Sequence, residues 1–292
     1  EFGTNHFGEI SYLAEVSLAN IGIITNIGPS HLEFFHNPKG VLREKYTLIK
    51  KLHKPAIAIL NADDLLLAAK LRHKETSVAK FGFGIGGNND FSASDIKETG
   101  KGLEFLVNQK YKFTLPTLGY YNIYNALAAI AAGRLLGLEY KEMARQLAAF
   151  TFPPGRLNVI ELKGIKFIDD TYNANPLSLS AALDVLGNLP SRGRKILVMG
   201  DMLELGGQAE VLHRMAGKEL SRVCDIFISV GSLTRFAAEG ARESGLKEKN
   251  IYTCDSSLKA RQILYKTISP KEGDVVLVKG SRSMKMEEVL KI

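Results

Sequence analysis

The sequence predicts an α/β protein of two consecutive domains, the first on a mixed sheet and the second on a doubly wound parallel sheet. Three observations carry the prediction. Short, continuous apolar runs alternate with stretches of helical period in both halves. Between residues 78 and 115 that alternation gives way to short segments of period two, separated by glycine and asparagine. Pro153-Pro154-Gly155 then divides the chain. Apolar runs too short for helices, interleaved with helices, are the pattern of strands buried on both sheet faces. Two prolines and a glycine cannot continue a helix, which sets the domains at 1–154 and 155–292. A chain of 292 residues is long enough to give each domain its own core.

In the first domain, Ile21 to Thr25 and Ala56 to Leu60 read as buried strands ending at polar turns. Between them, residues 39–52 carry Val41, Leu48 and Leu52 at helical spacing, so the pair is expected to be parallel with a right-handed crossover. Phe91 to Ile96, Leu103 to Val107 and Lys110 to Leu115, separated by Gly-Gly-Asn-Asn and Thr-Gly-Lys-Gly, predict antiparallel hairpins. Helices are expected over 122–136, closed by Gly137, and over 141–149. In the second domain, strands are expected at 166–169, 195–199, 226–230, 251–254 and 275–279. Helices at 176–188, 208–223, 233–244 and 256–268 fall between them. Such a sheet binds ligands at the carboxyl ends of its strands.

Composition narrows the function classes. No apolar run approaches the roughly 20 residues of a membrane span, and no signal-peptide pattern opens the chain. Cys224 and Cys254 are the only cysteines and lack metal-ligand spacing, so a reducing cytoplasm is expected and both thiols are read as core. The net charge of +7 is scattered without a basic block, tryptophan is absent, and no nucleic-acid motif accompanies it. Nucleic acid is therefore set aside in favour of a phosphorylated anionic substrate. No Gly-x-x-x-x-Gly-Lys-Ser/Thr phosphate loop occurs, and the glycine run at 82–87 leads into predicted hairpins, not a helix.

Polar residues just beyond the strands are the candidate site. After the first strand comes Asn26-Ile-Gly-Pro-Ser-His31, where histidine is either a metal ligand or an incidental turn residue. Lys45, fourteen residues on, is either a solvated helix lysine or an amine that carbon dioxide converts to a carbamate, an oxygen donor suited to magnesium. Asp169-Asp-Thr-Tyr-Asn-Ala-Asn-Pro176, Met199-Gly-Asp-Met202 and Lys279-Gly-Ser-Arg282 follow three strands of the second domain. Their carboxylates and amides suit a ribose or an amino acid, and Lys279 and Arg282 suit anions. The same residue types are also turn formers and helix caps. Three polar strand ends expected on one edge favour a ligand site.

Several motifs occur in order along the chain: Glu1-Phe-Gly-Thr-Asn-His-Phe-Gly-Glu9, Thr25 to His31, Leu60-Asn-Ala-Asp-Asp64, Gly119-Tyr-Tyr-Asn-Ile-Tyr-Asn-Ala-Leu127, Pro154-Gly-Arg156, Asp169 to Pro176, Gly200-Asp-Met-Leu-Glu-Leu-Gly206 and Lys279 to Arg282. Together they resemble the Mur ligases of peptidoglycan synthesis over nearly the whole chain. The resemblance implies a central ATPase-like domain, begun upstream of Glu1, followed by a Rossmann-like C-terminal domain. It also implies that a UDP-binding domain and phosphate loop belong ahead of Glu1, so that this chain alone is inactive.

The implied activity is ATP-dependent amide-bond formation. The Asn173-Ala-Asn-Pro176 and Gly200 to Gly206 stretches are most like members that add D-alanyl-D-alanine to UDP-N-acetylmuramoyl-tripeptide. Diaminopimelate- or lysine-adding ligases, folylpolyglutamate synthetase and a non-catalytic nucleotide- or dipeptide-binding fragment are the alternatives. By the resemblance, Glu1, His31 and carbamylated Lys45 are magnesium ligands, for two ions with ATP, and His31 and Lys45 are the catalytic candidates. Asn122 and Asn125 would meet adenine; Arg156 and Asp170 would hold phosphate and ribose. Tyr172, Asn173, Asn175, Lys279, Ser281 and Arg282 would face the dipeptide or the reacting groups. Tyr121 departs from the family, which often has histidine there. A monomer without membrane insertion and a hinge near 153–156 are also implied.

Overall fold

A computed structural model describes residues 1–73, 77–99 and 102–291, and its contacts divide the chain into two units, Glu1–Thr151 and Phe152–Ile292. The sheet of the first unit joins β1 (Ile21–Ile24), β2 (Ala56–Asn61), β3 (Val78–Ile85), β4 (Phe91–Thr99), β5 (Gly102–Val107) and β6 (Tyr111–Leu115) in that order. β1 to β4 run parallel, and β5 and β6 return antiparallel. The sheet is therefore mixed, as expected. The hairpin expectation holds for β4 to β6, although Gly100 and Lys101 of its Thr-Gly-Lys-Gly turn lie outside the described residues. It does not hold for β3, which pairs parallel to both β2 and β4. A short link normally joins antiparallel strands; here left-handed Gly86 and Gly87 double the chain back, and β3 and β4 share three residue pairs.

Helices α1 (Glu9–Ser17), α2 (Leu32–Phe35), α3 (Pro38–Lys45), α4 (Thr47–Lys50), α5 (Leu65–Arg72), α6 (Tyr121–Leu135) and α7 (Tyr140–Ala148) complete the first unit. Alternate residues of β2 face opposite cores, as period-two geometry requires. Ile57 and Ile59 join the cluster with Ile123, Leu127 and Ile130 of α6, while Ala58 and Leu60 join Val41, Ile49 and Leu67. The single crossover helix expected at 39–52 is divided at Tyr46, where Ile49 N–H bonds only three residues back, to the Tyr46 carbonyl. Helix α1 was not expected. Its start is set by the buried Glu44 carboxylate, which accepts from Gly8 and Ile10 N–H at 3.0 and 2.8 Å, a partner too distant for local spacing to reveal.

In the second unit, β7 (Asn158–Leu162), β8 (Ile165–Asp170), β9 (Lys195–Gly200), β10 (Ile226–Val230), β11 (Ile251–Cys254) and β12 (Val275–Lys279) form a sheet in the order β11-β10-β9-β12-β8-β7. All pairs are parallel except β7 with β8. Helices α8 (Pro176–Asn188), α9 (Ala209–Leu220) and α10 (Thr234–Glu243) follow β8, β9 and β10. Helix α11 (Ser257–Gln262) continues as a π-turn over Ile263–Ile268. Val198, Ile228 and Val276 pack with Ala260 and Leu264 on one face. Their neighbours Leu197, Phe227 and Leu277 are equally buried on the other, so the sheet is covered on both sides. Strand β7 is outside the sequence expectation: it lies at the edge, with Val159 and Ile160 exposed, and reaches β8 through a Lys163-Gly164 turn with both φ positive. Among the described residues no helix is long and apolar enough to cross a membrane.

The end of this sheet opposite the candidate site is fastened by Asp274, whose side chain is 3% exposed. Its carboxylate accepts from Arg194 N–H at 2.7 Å, Arg194 Nη2 at 2.6 Å and Lys271 N–H at 2.9 Å. Burial alone would raise this carboxyl, but the hydrogen bonds from Arg194 and Lys271 overcome it and hold it below its ordinary value. The stabilisation is therefore present above the ordinary carboxylate range and fades as pH falls through the depressed value. Asp274→Asn should cost about 2 kcal/mol, because one amide oxygen cannot serve both backbone N–H groups and the Arg194 guanidinium, whose partial exposure softens the loss of its counter-charge. Urea unfolding should show a lower midpoint with unchanged slope.

Candidate functional site

In the second unit, β9, β12 and β8 are adjacent and parallel, so Gly200, Lys279 and Asp170 end on one edge. The three polar strand ends expected from the sequence do come together. Lys279 pairs in register with Asp170, its ammonium lies 2.5 Å from the Asp170 carboxylate, and it donates to the Asn173 carbonyl at 3.0 Å. Both side chains are buried. Burial pushes the lysine down from its ordinary value, with Asp170 opposing. As it stands, Lys279 braces the 170–173 turn and is not presented to solvent.

Other candidates on this edge divide by exposure. Arg156 and Tyr172 are exposed and stacked, with the guanidinium 4.0 Å from the ring centroid. Tyr172 N–H donates to the Gly155 carbonyl, which joins the start of the unit to this turn. Asn173 is exposed, with its side-chain oxygen accepting from Ala174 N–H. Arg282 is exposed and pairs with Glu287 at 2.8 Å. Asn175 instead caps α8 in a reciprocal box with Ser178, at 2.9 and 3.0 Å. Ser281 is buried and its hydroxyl accepts from Leu203 N–H at 2.9 Å. The exposed members offer a planar cation, a phenol and an amide to a polar ligand; Asn175, Lys279 and Ser281 shape the turns that carry them.

In the first unit the loop after β1 meets the turn after β2. Asn61 donates to the Thr25 carbonyl at 2.9 Å, and the Asp64 carboxylate accepts from Ile27 N–H at 2.7 Å while capping α5 through Leu66 and Leu67 N–H. Lys45, at the end of α3, donates to the Asn26 carbonyl at 3.3 Å. Burial pushes its amine below the ordinary lysine value, with Asp64 opposing. Asp64 closes the Leu60-Asn-Ala-Asp-Asp64 motif. An aspartate directly before the leucine run is a helix-cap signal, but its hold on the Ile27 loop is visible only in three dimensions.

His31 caps the short α2 in a left-handed conformation, with its ring edge-on to Phe35. Glu1 is exposed at the head of the segment that leads to α1. Among the described residues no group of three or more His, Cys, Asp or Glu side chains is placed to hold a metal ion. That donor set does not describe a resident all-protein cage. A magnesium ion needs no such cage, since it keeps several waters and takes one or two protein oxygens plus substrate phosphates.

Asn122 and Asn125 form one array at the start of α6. Buried Asn122 donates to the Leu118 carbonyl at 2.8 Å, and exposed Asn125 donates to the Asn122 side-chain oxygen at 3.2 Å. Tyr121, beside them, is half-buried. The Tyr124 hydroxyl donates to Asp63 at 3.0 Å, which ties α6 to the end of β2; burial, with Asp63 adding to it, pushes the phenol up to about 12.

Comparison with known proteins gives these arrangements a context. Residues 1–133 match the Mur ligase middle domain, and residues 155–282 match the Mur ligase, glutamate ligase domain. The chain is 34% identical over 295 residues to the UDP-N-acetylmuramoyl-tripeptide–D-alanyl-D-alanine ligase of Bacillus subtilis, covering 100% of this chain and 63% of that protein. It is 33% identical to the ligase of the same name from Escherichia coli, covering 100% of this chain and 64% of the relative. Among solved structures, MurF from Acinetobacter baumannii superposes with a TM-score of 0.87 at 30% identity, covering 99% of this chain and 62% of that one. MurF ligase from Thermotoga maritima in complex with ADP gives 0.85 at 27% identity, covering 100% and 65%. The chain thus spans less than two thirds of the length of these relatives.

Proposed function

The chain belongs to the Mur ligase family, and we propose that it carries the nucleotide- and dipeptide-handling parts of an ATP-dependent ligase that adds D-alanyl-D-alanine to UDP-N-acetylmuramoyl-tripeptide. In that reaction the tripeptide carboxylate attacks the γ-phosphorus of ATP and ADP leaves. The dipeptide amine then attacks the acyl carbon, inorganic phosphate leaves, and the amine's proton is lost to solvent. Bound magnesium, as a pair of ions, offsets the repulsion between carboxylate and triphosphate.

Within this reading Asn122 and Asn125 receive the adenine. Amide donors and acceptors already aligned on one helix start can bond a base edge with little reorganisation. Lys45, as a carbamate, His31 and Glu1 supply metal ligands; the partly desolvated Lys45 amine supports this, since carbamylation consumes the neutral amine. Arg156 holds phosphate, Asp170 the ribose, and Tyr172, Asn173 and Arg282 the dipeptide, with Asn175, Lys279 and Ser281 shaping that edge. In this reading the enzyme works in the cytoplasm as a monomer.

The observation that carries the reading is the common edge of β8, β9 and β12, where the exposed Arg156–Tyr172 pair and Asn173 lie beside the buried Lys279–Asp170 clamp. The test is phosphate release by the intact protein with ATP, magnesium and UDP-N-acetylmuramoyl-tripeptide, offered D-alanyl-D-alanine, meso-diaminopimelate, L-lysine or L-glutamate in turn. Turnover is expected with the dipeptide alone. Turnover with a single amino acid in its place would overturn the substrate assignment.

A further inference from the structure

The loop after β9, residues 201–205, has no part in these assignments, yet one buried imidazole holds it. His213, on α9, is fully buried. Its Nδ1 lies 2.7 Å from the Ala209 carbonyl oxygen, and its Nε2 accepts from Met202 N–H at 3.0 Å. A carbonyl only accepts and an amide N–H only donates, so the ring must be neutral with its proton on Nδ1. Burial also pushes this imidazole below the ordinary histidine value, although Ala209 and Asp201 oppose it.

The same loop reaches two neighbouring strand ends. The Asp201 carbonyl accepts from Ser281 N–H at 3.1 Å, and Leu203 N–H donates to the Ser281 hydroxyl at 2.9 Å. The Asp201 carboxylate accepts from Ser232, Leu233 and Thr234 N–H at 3.1, 3.0 and 2.7 Å, just after β10. Glycine is required at 231, where φ is +110° and a Cβ would come within 2.5 Å of that carboxylate. Met202 is fully buried, so without an acceptor its N–H would be left unmatched.

We propose that His213 is a positioning residue for the ligase reaction, fixing the 201–205 backbone so that Ser281 and the turn after β12 are held in place. The proposal rests on the functional reading above in taking Ser281 as part of the dipeptide-receiving edge. A residue that only filled space would be replaceable by any side chain of similar volume. An acceptor for Met202 is replaceable only by another acceptor.

The test compares His213→Leu, which keeps bulk and removes the acceptor, with His213→Gln, which restores one, in the intact protein. In His213→Leu the amides of Met202 and Leu203 should lose about tenfold or more of their protection from hydrogen exchange, as loss of one buried hydrogen bond implies. Leu277 and Val278, inside β12, should keep theirs. The dipeptide KM should rise about tenfold while the ATP KM stays within about twofold, and His213→Gln should recover most of the difference. Unchanged protection at Met202 and Leu203 in His213→Leu would overturn the proposal. So would a wild-type imidazole nitrogen spectrum with the proton on Nε2, a measurement that stands even where His213→Leu fails to fold. Absence of ligase turnover in the wild type would sink the functional reading, whereas exchange and tautomer report on the clamp alone.

Discussion

Lys45→Ala is expected to lower ligase turnover by on the order of 10³-fold, the scale of removing one electrostatic group from a phosphoryl-transfer site. Short carboxylic acids such as formate or acetate should restore part of it. Lys45→Arg should be equally inactive, because a guanidinium cannot form the carbamate that the functional reading requires. The two substitutions together separate a carbamate from a simple cation, which arginine would replace. Folding should be little affected: the Lys45 hydrogen bond to the Asn26 carbonyl, at 3.3 Å, is worth about 1 kcal/mol. Steady-state phosphate release with and without added acid, beside an unfolding curve, makes the comparison. Full activity in Lys45→Ala, or an inactive enzyme that no acid revives, would remove the carbamate role.

Most strand positions of the second unit were legible in the sequence, because buried parallel strands are short apolar runs whose pattern depends on local residues. The runs at 226–230, 251–254 and 275–279 coincide with β10, β11 and β12. Elements that their own burial pattern does not mark were not legible. Helix α1 depends on Glu44, thirty-four residues beyond Ile10, and β7 is an exposed edge strand whose partner β8, not its own burial, makes it a strand. The site divides in the same way. The polar residues at the strand ends could be named from their types, but types do not say which side chains are already spent. Asn175 has the amide of a substrate contact and is occupied as a helix cap, while Lys279 has the charge of an anion binder and is neutralised by Asp170. His213 was invisible because a histidine at the fifth residue of a helix carries no local sign of an acceptor's role.

The Lys279–Asp170 pair yields the largest stability effect. Lys279→Met leaves the Asp170 carboxylate buried without a cation, and breaking a buried pair from one side costs about 3–5 kcal/mol. It also leaves the Asn173 carbonyl without its donor, so the 170–173 turn should loosen. Removing both charges in Lys279→Met/Asp170→Asn should recover much of that loss, since no isolated charge remains and the two sites are in direct contact and couple. Chemical denaturation of the four proteins gives the coupling energy. Additive losses would mean that the pair does not act as a unit. Activity should not follow stability: the double variant regains its fold but lacks the carboxylate proposed for the ribose, so its ATP KM should remain raised. If turnover recovered together with stability, Asp170 would be only a counter-ion for Lys279, and nucleotide recognition on this edge would fall to Arg156 and Tyr172.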